Sequence, residues 1–449
     1  MKKLILFTVA FLTICIGCNA RQLMVGAAKV DITPTEADLM HPTDIIRGRL
    51  YVRAIYLSDG NNSAAIVGMD AHCFGLEETI RRSSERTGIP VVNYIISSTH
   101  THTGGTAGID LAHNIPTNDQ IQDAVAKAIL QAKENARPAR VGFGRRPLDL
   151  NVNRDNYNEA LEWEQGPNWT GPVDKDLTVL SFLDENDVPI AVYLNYGMHP
   201  VNFLMSGVVS PDFPGDACDL IEKVFGNNTV AVFSQAASGD ANPALAYTDI
   251  FRETAQVKGV RVPKPTETGM PKYEPKAVSK EQESVHKAML GRKDEYVRML
   301  GNALGFKALE IMLYDMQYEE EPVIRGVETT IRVPGRKRLD QSRFDNYDPG
   351  YEPDEDVTIG VGLLQIGDIN LVSISGELYT EIGYRIKHEM PASKVMIVTL
   401  ADGPAGGGYI YSDKASSHLT FQVISSRLQP GYAESAIVSA AVELARKIK

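Results

Sequence analysis

Val91-Val92-Asn93-Tyr94-Ile95-Ile96 runs directly into Ser97-Ser98-Thr99-His100-Thr101-His102-Thr103-Gly104-Gly105. The first stretch reads as a buried β-strand and the second as a Gly-rich turn opening from its end. Two histidines two residues apart at such a point are both presented at the carboxyl edge of a sheet, where open α/β sheets place their sites. Neutral imidazole is the commonest protein ligand for a transition metal, and an open position on such a metal supports hydrolysis. Taken alone, a His-x-His pair is more often loop polarity than a ligand, so the rest of the chain has to decide.

Outward from this stretch, apolar runs and turn residues alternate. Residues 25–34 predict a strand closing into a Pro turn, and 53–57 with 63–69 a strand pair around Asp59-Gly60-Asn61-Asn62. Residues 76–87 predict a short amphipathic helix, and 119–136 a longer one with Asn118 as N-cap. Further strands are expected at 141–143, 177–183, 189–196, 230–233, 361–365, 369–375 and 394–400. Helices are expected at 216–225, around 294–312, after Glu377 to about His388, and at 433–447. Residues 151–156 read as a polar loop carrying Arg154. Residues 248–292 and 335–356 are charged and Pro-containing, and read as surface insertions. The alternation predicts an α/β fold, a single large domain of mixed β-sheets flanked by helices with a site at the strand ends.

The amino terminus, Met1-Lys2-Lys3 followed by an apolar run to Ile16, has the pattern of a secretory signal and is too short to span a membrane. Gly17-Cys18 resembles a bacterial lipobox, although Cys15 stands where Leu is usual; cleavage after Ala20 is the alternative. The expectation is a lipoprotein signal at 1–17, a tether at 18–24, and an exported bacterial lipoprotein anchored through Cys18, periplasmic or at the outer membrane or cell surface. With 45 basic and 57 acidic residues the net charge is −12, which argues against a nucleic-acid partner. Cys73 and Cys218 would remain after processing; unpaired thiols are the default.

His100, His199 and Glu377 each follow an apolar strand-like run, and Tyr409 ends a Gly-rich loop after another. Convergent polar groups on strand ends make a pocket floor, and two imidazoles, a carboxylate and a phenolate suit zinc. Each also has a plainer role: His199 before Pro200 as a core histidine, Glu377 beside a helix start, Tyr409 as packing.

A set of motifs in a fixed order goes further. It comprises Gly26-Ala27-Ala28-Lys29-Val30-Asp31-Ile32-Thr33-Pro34, Ser98-Thr99-His100-Thr101-His102-Thr103-Gly104, Asn153-Arg154, Met198-His199-Pro200-Val201, Ser210-Pro211-Asp212-Phe213-Pro214-Gly215, Gly376-Glu377-Leu378-Tyr379-Thr380 and Gly408-Tyr409-Ile410. With these, residues 25–449 resemble the catalytic domain of the neutral/alkaline, non-lysosomal ceramidase family. That resemblance implies a zinc-dependent amidohydrolase with His100, His199, Glu377 and Tyr409 as metal ligands. His102 and Arg154 match active-site positions, a proton shuttle and an oxyanion donor. It further implies a lipid-like N-acyl substrate, ceramide or another such compound, cleaved by zinc-activated water.

Three departures stand out. Asn242, in Gly239-Asp240-Ala241-Asn242-Pro243, replaces the family's catalytic serine, and a carboxamide is no nucleophile. Phe421-Gln422 replaces a Tyr-Glu pair, and family members continue into a β-sandwich domain after the last helix seen here. Two other readings follow: a zinc esterase or deacylase of a more polar substrate, or a non-catalytic lipid-anchored binding protein on the same scaffold. Asp70, Asp212 and Asp240 are expected to orient ligands or cap backbone groups.

Overall fold

A computed structural model describes residues 22–39, 44–73, 75–104, 116–204, 206–226, 228–244, 260–261, 272–273, 279–340, 345–404, 406 and 408–448. The signal segment, Cys18 and most of 248–278 therefore lie outside the described residues.

The chain opens with β1 (Leu23–Asp31), β2 (Tyr51–Ser58) and β3 (Ser63–Met69), then α1 (Glu77–Thr87), β4 (Tyr94–Ser98), α2 (Asn118–Glu134) and β5 (Arg137–Pro147). A hairpin of β6 (Asn151–Tyr157) and β7 (Trp163–Asn168) precedes β8 (Asp176–Asp184) and β9 (Pro189–Tyr196). After these come α3 (Asp212–Val224), β10 (Val230–Gln235), β11 (Ala241–Pro243), α4 (Lys280–Tyr314) and β12 (Gln317–Glu319). The last third holds β13 (Ile324–Arg338), β14 (Tyr351–Ile366), β15 (Ile369–Ile374), β16 (Glu377–Leu378), α5 (Thr380–Glu389), β17 (Lys394–Thr399), β18 (Tyr409–Ile410) and α6 (Ala433–Lys447).

Two mixed sheets result. The larger runs β10-β9-β8-β5-β1-β2-β3-β4, with β12 beside β5; the smaller runs β13-β14-β15-β17. Parallel pairs sit where a helix crosses over: β3 with β4, β9 with β10, β15 with β17. The sheets pack face to face through Val25, Ile55, Phe182 and Tyr193 on one side and Leu364, Leu371, Met396 and Val398 on the other. The outer face of the larger sheet is covered by α1 and α2 at one end and by α3 and α4 at the other. The outer face of the smaller sheet is covered by α5 and α6. The architecture is a single α/β domain of four layers, helices–sheet–sheet–helices, in which strands buried on both faces read as continuous apolar runs.

Several expected boundaries move for local reasons. Pro90 starts a 3₁₀ turn at Val91–Asn93, so β4 begins at Tyr94. The N-cap of α2 is Thr117, not Asn118. Its hydroxyl accepts the Gln120 N–H while Gln120 reaches back to the Thr117 N–H, a capping box. Residues 151–156 are strand β6 rather than a loop; its side chains are polar but buried and hydrogen-bonded, a pattern that shows no apolar period. The expected insertion at 248–292 ends in helix, because α4 starts at Lys280 behind a Ser279 cap. Its first three turns bury only His286 and Met289. The expected loop at 335–356 begins and ends in strand, the outer part of the β13–β14 arm, paired Arg338↔Tyr351. Charges on alternate exposed positions hid it. Cys73 and Cys218 are both buried, and no disulfide joins them.

The loop after β17 clamps the two sheets together. The Asp402 N–H donates to Ile96 O at 2.9 Å, and the Asp402 Oδ1 accepts the Ile96 N–H at 2.7 Å. Burial pushes the Asp402 carboxyl up to about 7. Below that pH the folded state holds a proton that the unfolded chain releases near pH 4, so stability falls as pH rises between the two values. Asp402→Asn is expected to melt above wild type at pH 8, with the advantage shrinking as pH falls toward 4. A constant difference across the range, in thermal melts at each pH, would contradict this.

Candidate metal centre and active site

The sheets converge their strand ends on one buried pocket. Because β3 and β4 are parallel in the register Met69↔Ser98, His72 and His100 leave the same edge side by side. His199 follows β9, Ser238-Gly239-Asp240 follows β10, and Glu377 follows β15. Tyr409 is brought opposite Glu377 by the parallel β16–β18 pair, register Glu377↔Tyr409. Gln235 ties the ends together, its Nε2 donating to Thr99 O at 3.0 Å and to Met198 O at 2.9 Å. The His102 N–H donates to Pro200 O, and the His199 N–H to Ala241 O. His100 has φ +65°, a strained backbone held by these neighbours. Gly239 is required by close approach: a Cβ there would lie 2.4 Å from Glu377 O.

The side chains form a compact donor set. His199 donates from Nδ1 to Ser238 O at 2.7 Å, which leaves Nε2 facing Glu377 Oε2 at 2.9 Å. The His100 Nε2 is 3.3 Å from the same oxygen. Burial, with the Arg154 guanidinium next in effect, holds the His199 imidazole down to about 4. Burial alone would raise the Glu377 carboxyl, but His100 and His199 pull it well below its ordinary range. Burial and the neighbouring imidazoles likewise hold His72 and His102 well below the usual histidine value. A metal needs a neutral imidazole and an ionised carboxylate, and His199 and Glu377 supply these; the ligand atoms of His100, His199 and Glu377 lie within 4.8 Å of one another. The donor chemistry fits zinc.

Arg154 roofs this set. Its Nη2 donates to Gly239 O at 2.6 Å and to the Tyr409 hydroxyl at 3.2 Å, and lies 3.4 Å from His199 Nε2. Its Nη1 donates to Asn242 Oδ1 at 3.2 Å. Burial, and then Glu377, push the Tyr409 phenol above its ordinary value. Asn242 therefore sits at the pocket as a support for Arg154. Phe421 meets the Tyr409 ring edge-on, with centroids 5.9 Å apart, and Gln422 is fully buried beside it in sequence.

Of Asp70, Asp212 and Asp240, expected to orient ligands or cap backbone groups, all three accept backbone N–H groups and Asp240 borders the pocket. It accepts the Thr380 N–H and hydroxyl and the Asn153 amide, fixing the start of α5 and the strand carrying Arg154. Asp70 instead pairs with Arg53, and Asp212 binds Asn202. Sequence reasoning missed His72, whose ring stacks on His100 with centroids 4.0 Å apart. The available signal was its place three residues beyond the 63–69 strand. It also missed Asp155, which accepts from the Tyr379 hydroxyl and from His418 Nδ1.

The profile of the neutral/alkaline non-lysosomal ceramidase N-terminal region matches residues 24–261, more than half of the chain. The chain belongs to this family. Neutral ceramidase B of Dictyostelium discoideum is 28% identical over 253 residues, which cover 49% of this chain and 35% of that protein. The Pseudomonas aeruginosa neutral ceramidase is 25% identical over 252 residues, covering 49% and 37%. The matched stretches thus span little more than a third of those relatives' own lengths. The crystal structure of neutral ceramidase from Pseudomonas aeruginosa superposes with TM-score 0.65 at 17% identity, over 95% of this chain and 75% of that one. A ceramidase complexed with C2 gives TM-score 0.68 at 15% identity, over 94% and 75%. The four-layer fold is therefore the ceramidase fold along nearly the whole chain.

Proposed function

We propose that this ceramidase-family chain is a zinc-dependent hydrolase that cleaves the amide of ceramide or another N-acyl compound. The observation that carries the reading is the buried convergence of His100, His199 and Glu377 beneath Arg154 and Tyr409. His100, His199, Glu377 and Tyr409 would hold the zinc. When bound, zinc supplies a Lewis acid for the carbonyl and lowers the pKa of water.

The other roles belong to the protein's own groups. The Arg154 guanidinium, fixed by Gly239 O and Asn242, holds a donor over the pocket where negative charge would develop on the carbonyl oxygen. His102 is a neutral base that can take a proton and return it to the leaving amine. Ser238 O holds the His199 ring in one tautomer. Asn242 cannot attack; it orients Arg154. Attachment to a membrane through Cys18 belongs to the same proposal, and would bring the pocket to lipid substrates.

The test is elemental analysis of the purified protein, with turnover assayed on short- and long-chain ceramides and a panel of N-acyl amides and esters. The expected result is one zinc per chain and hydrolysis, abolished by chelation and restored by zinc. A protein that takes up no zinc and turns over no panel member would leave the fold as a binding scaffold.

A further inference from the structure

The pocket contains more metal donors than one zinc site uses. His72 stacks on the face of His100, with an interplanar angle of 24°. His102 stands edge-on to both, with ring centroids 4.7 and 4.8 Å away. His199 meets His100 edge-on, at 5.1 Å. One ring nitrogen from each of His72, His100 and His102 lies within 4.8 Å of the others, as do the donor atoms of His100, His199 and Glu377. Both ring nitrogens of His102 are buried and make no hydrogen bond among the described residues. The two donor sets overlap in His100 alone.

We propose that the pocket offers a divalent transition metal such as Zn²⁺ two mutually exclusive positions, the second on His72, His100 and His102. This rests on the metal reading above and extends it. Three imidazoles are a sufficient zinc-binding set with a fourth position left open. Occupancy is exclusive because both positions need His100, and because two dications a few ångströms apart, with Glu377 the one carboxylate in the two donor sets, repel strongly at low dielectric. The positions differ chemically. In the first, the carboxylate of Glu377 offsets part of the ion's charge and Arg154 and Tyr409 reach the site. In the second, only neutral nitrogens face the ion, so its full charge is retained. Loss of one set should then move the ion and not release it.

Metal content after dialysis and the visible absorption of the Co²⁺ form read this without any substrate. Wild type, His72→Ala and His199→Ala are each expected to retain one ion per chain, with a changed Co²⁺ spectrum in His199→Ala. His100→Ala and the double variant His72→Ala/His199→Ala are expected to retain none. Circular-dichroism melts show whether each variant is folded; should His199→Ala not fold, Glu377→Gln removes the same set. Wild type loaded and folded His199→Ala empty would overturn the second position alone. Wild type that binds neither Zn²⁺ nor Co²⁺ overturns the metal reading together with it.

Discussion

Arg154→Ala is expected to lower kcat/KM by about 10²–10³, the usual cost of removing one preorganised oxyanion donor. The arginine is buried and committed at every nitrogen: Nε and Nη2 to Gly239 O, Nη1 to Asn242, Nη2 also to the Tyr409 hydroxyl. Such a group costs no reorganisation as charge develops on a substrate oxygen beside it. Alanine also strands the Gly239 carbonyl and the Asn242 amide, at about 1–3 kcal/mol for each buried group left unpaired. Arg154→Lys keeps the charge but loses the planar fork, and is not expected to restore the rate. Zinc content should persist in both variants, which separates loss of the donor from loss of the metal. Activity within a few-fold of wild type in Arg154→Ala would remove the arginine from the reaction.

The pocket was partly visible in the sequence because its main donors follow strands that the apolar pattern marks. Residues 63–69 and 189–196 form strands over the expected ranges, and the chain then delivers His199 three residues later. Glu377 and Tyr409 stand out in the sequence as polar groups after apolar runs, but only the family resemblance joins them to the histidines, since their meeting depends on the two-residue β16–β18 pair, too short for any periodicity. His72 left no motif. Its nearness to His100 follows from the parallel β3–β4 register, a tertiary fact.

Two segments of the fold defeat the hydrophobic period, each in its own way. Strand β6 carries Asn151, Asn153, Arg154 and Asp155 inward, and each makes a hydrogen bond with a distant segment: Gly197, Pro172, Gly239 and Tyr379. A polar strand of this kind is stable only in the finished structure, so hydrophobic period assigns it to a loop. The β13–β14 arm misleads for the opposite reason: Lys337, Glu352, Asp354 and Glu355 are exposed on a two-stranded ribbon beyond the sheet.

Asp70→Ala is expected to cost about 3–5 kcal/mol, the penalty for stripping the partner from a buried ion pair. Arg53 is 3% and Asp70 1% exposed, and the guanidinium donates directly to Asp70 Oδ2. The same oxygen accepts the Tyr51 N–H at 3.0 Å, so it also ends the β2–β3 ladder. The remaining carboxylates, Asp219 and Glu222, are each 3.8 Å from the guanidinium and cannot replace that contact without moving. Replacing both partners, Arg53→Met with Asp70→Ala, should cost less than the sum of the single changes, because no charge is then left unpaired. The effect should also reach the pocket: the next residue, Ala71, accepts the His100 N–H at 3.1 Å. Urea denaturation with an unchanged slope measures the loss. A shift of the Asp70→Ala midpoint worth under about 1 kcal/mol would mean that Asp219 and Glu222 close on Arg53, and that the pair does not anchor the strand end bearing His72.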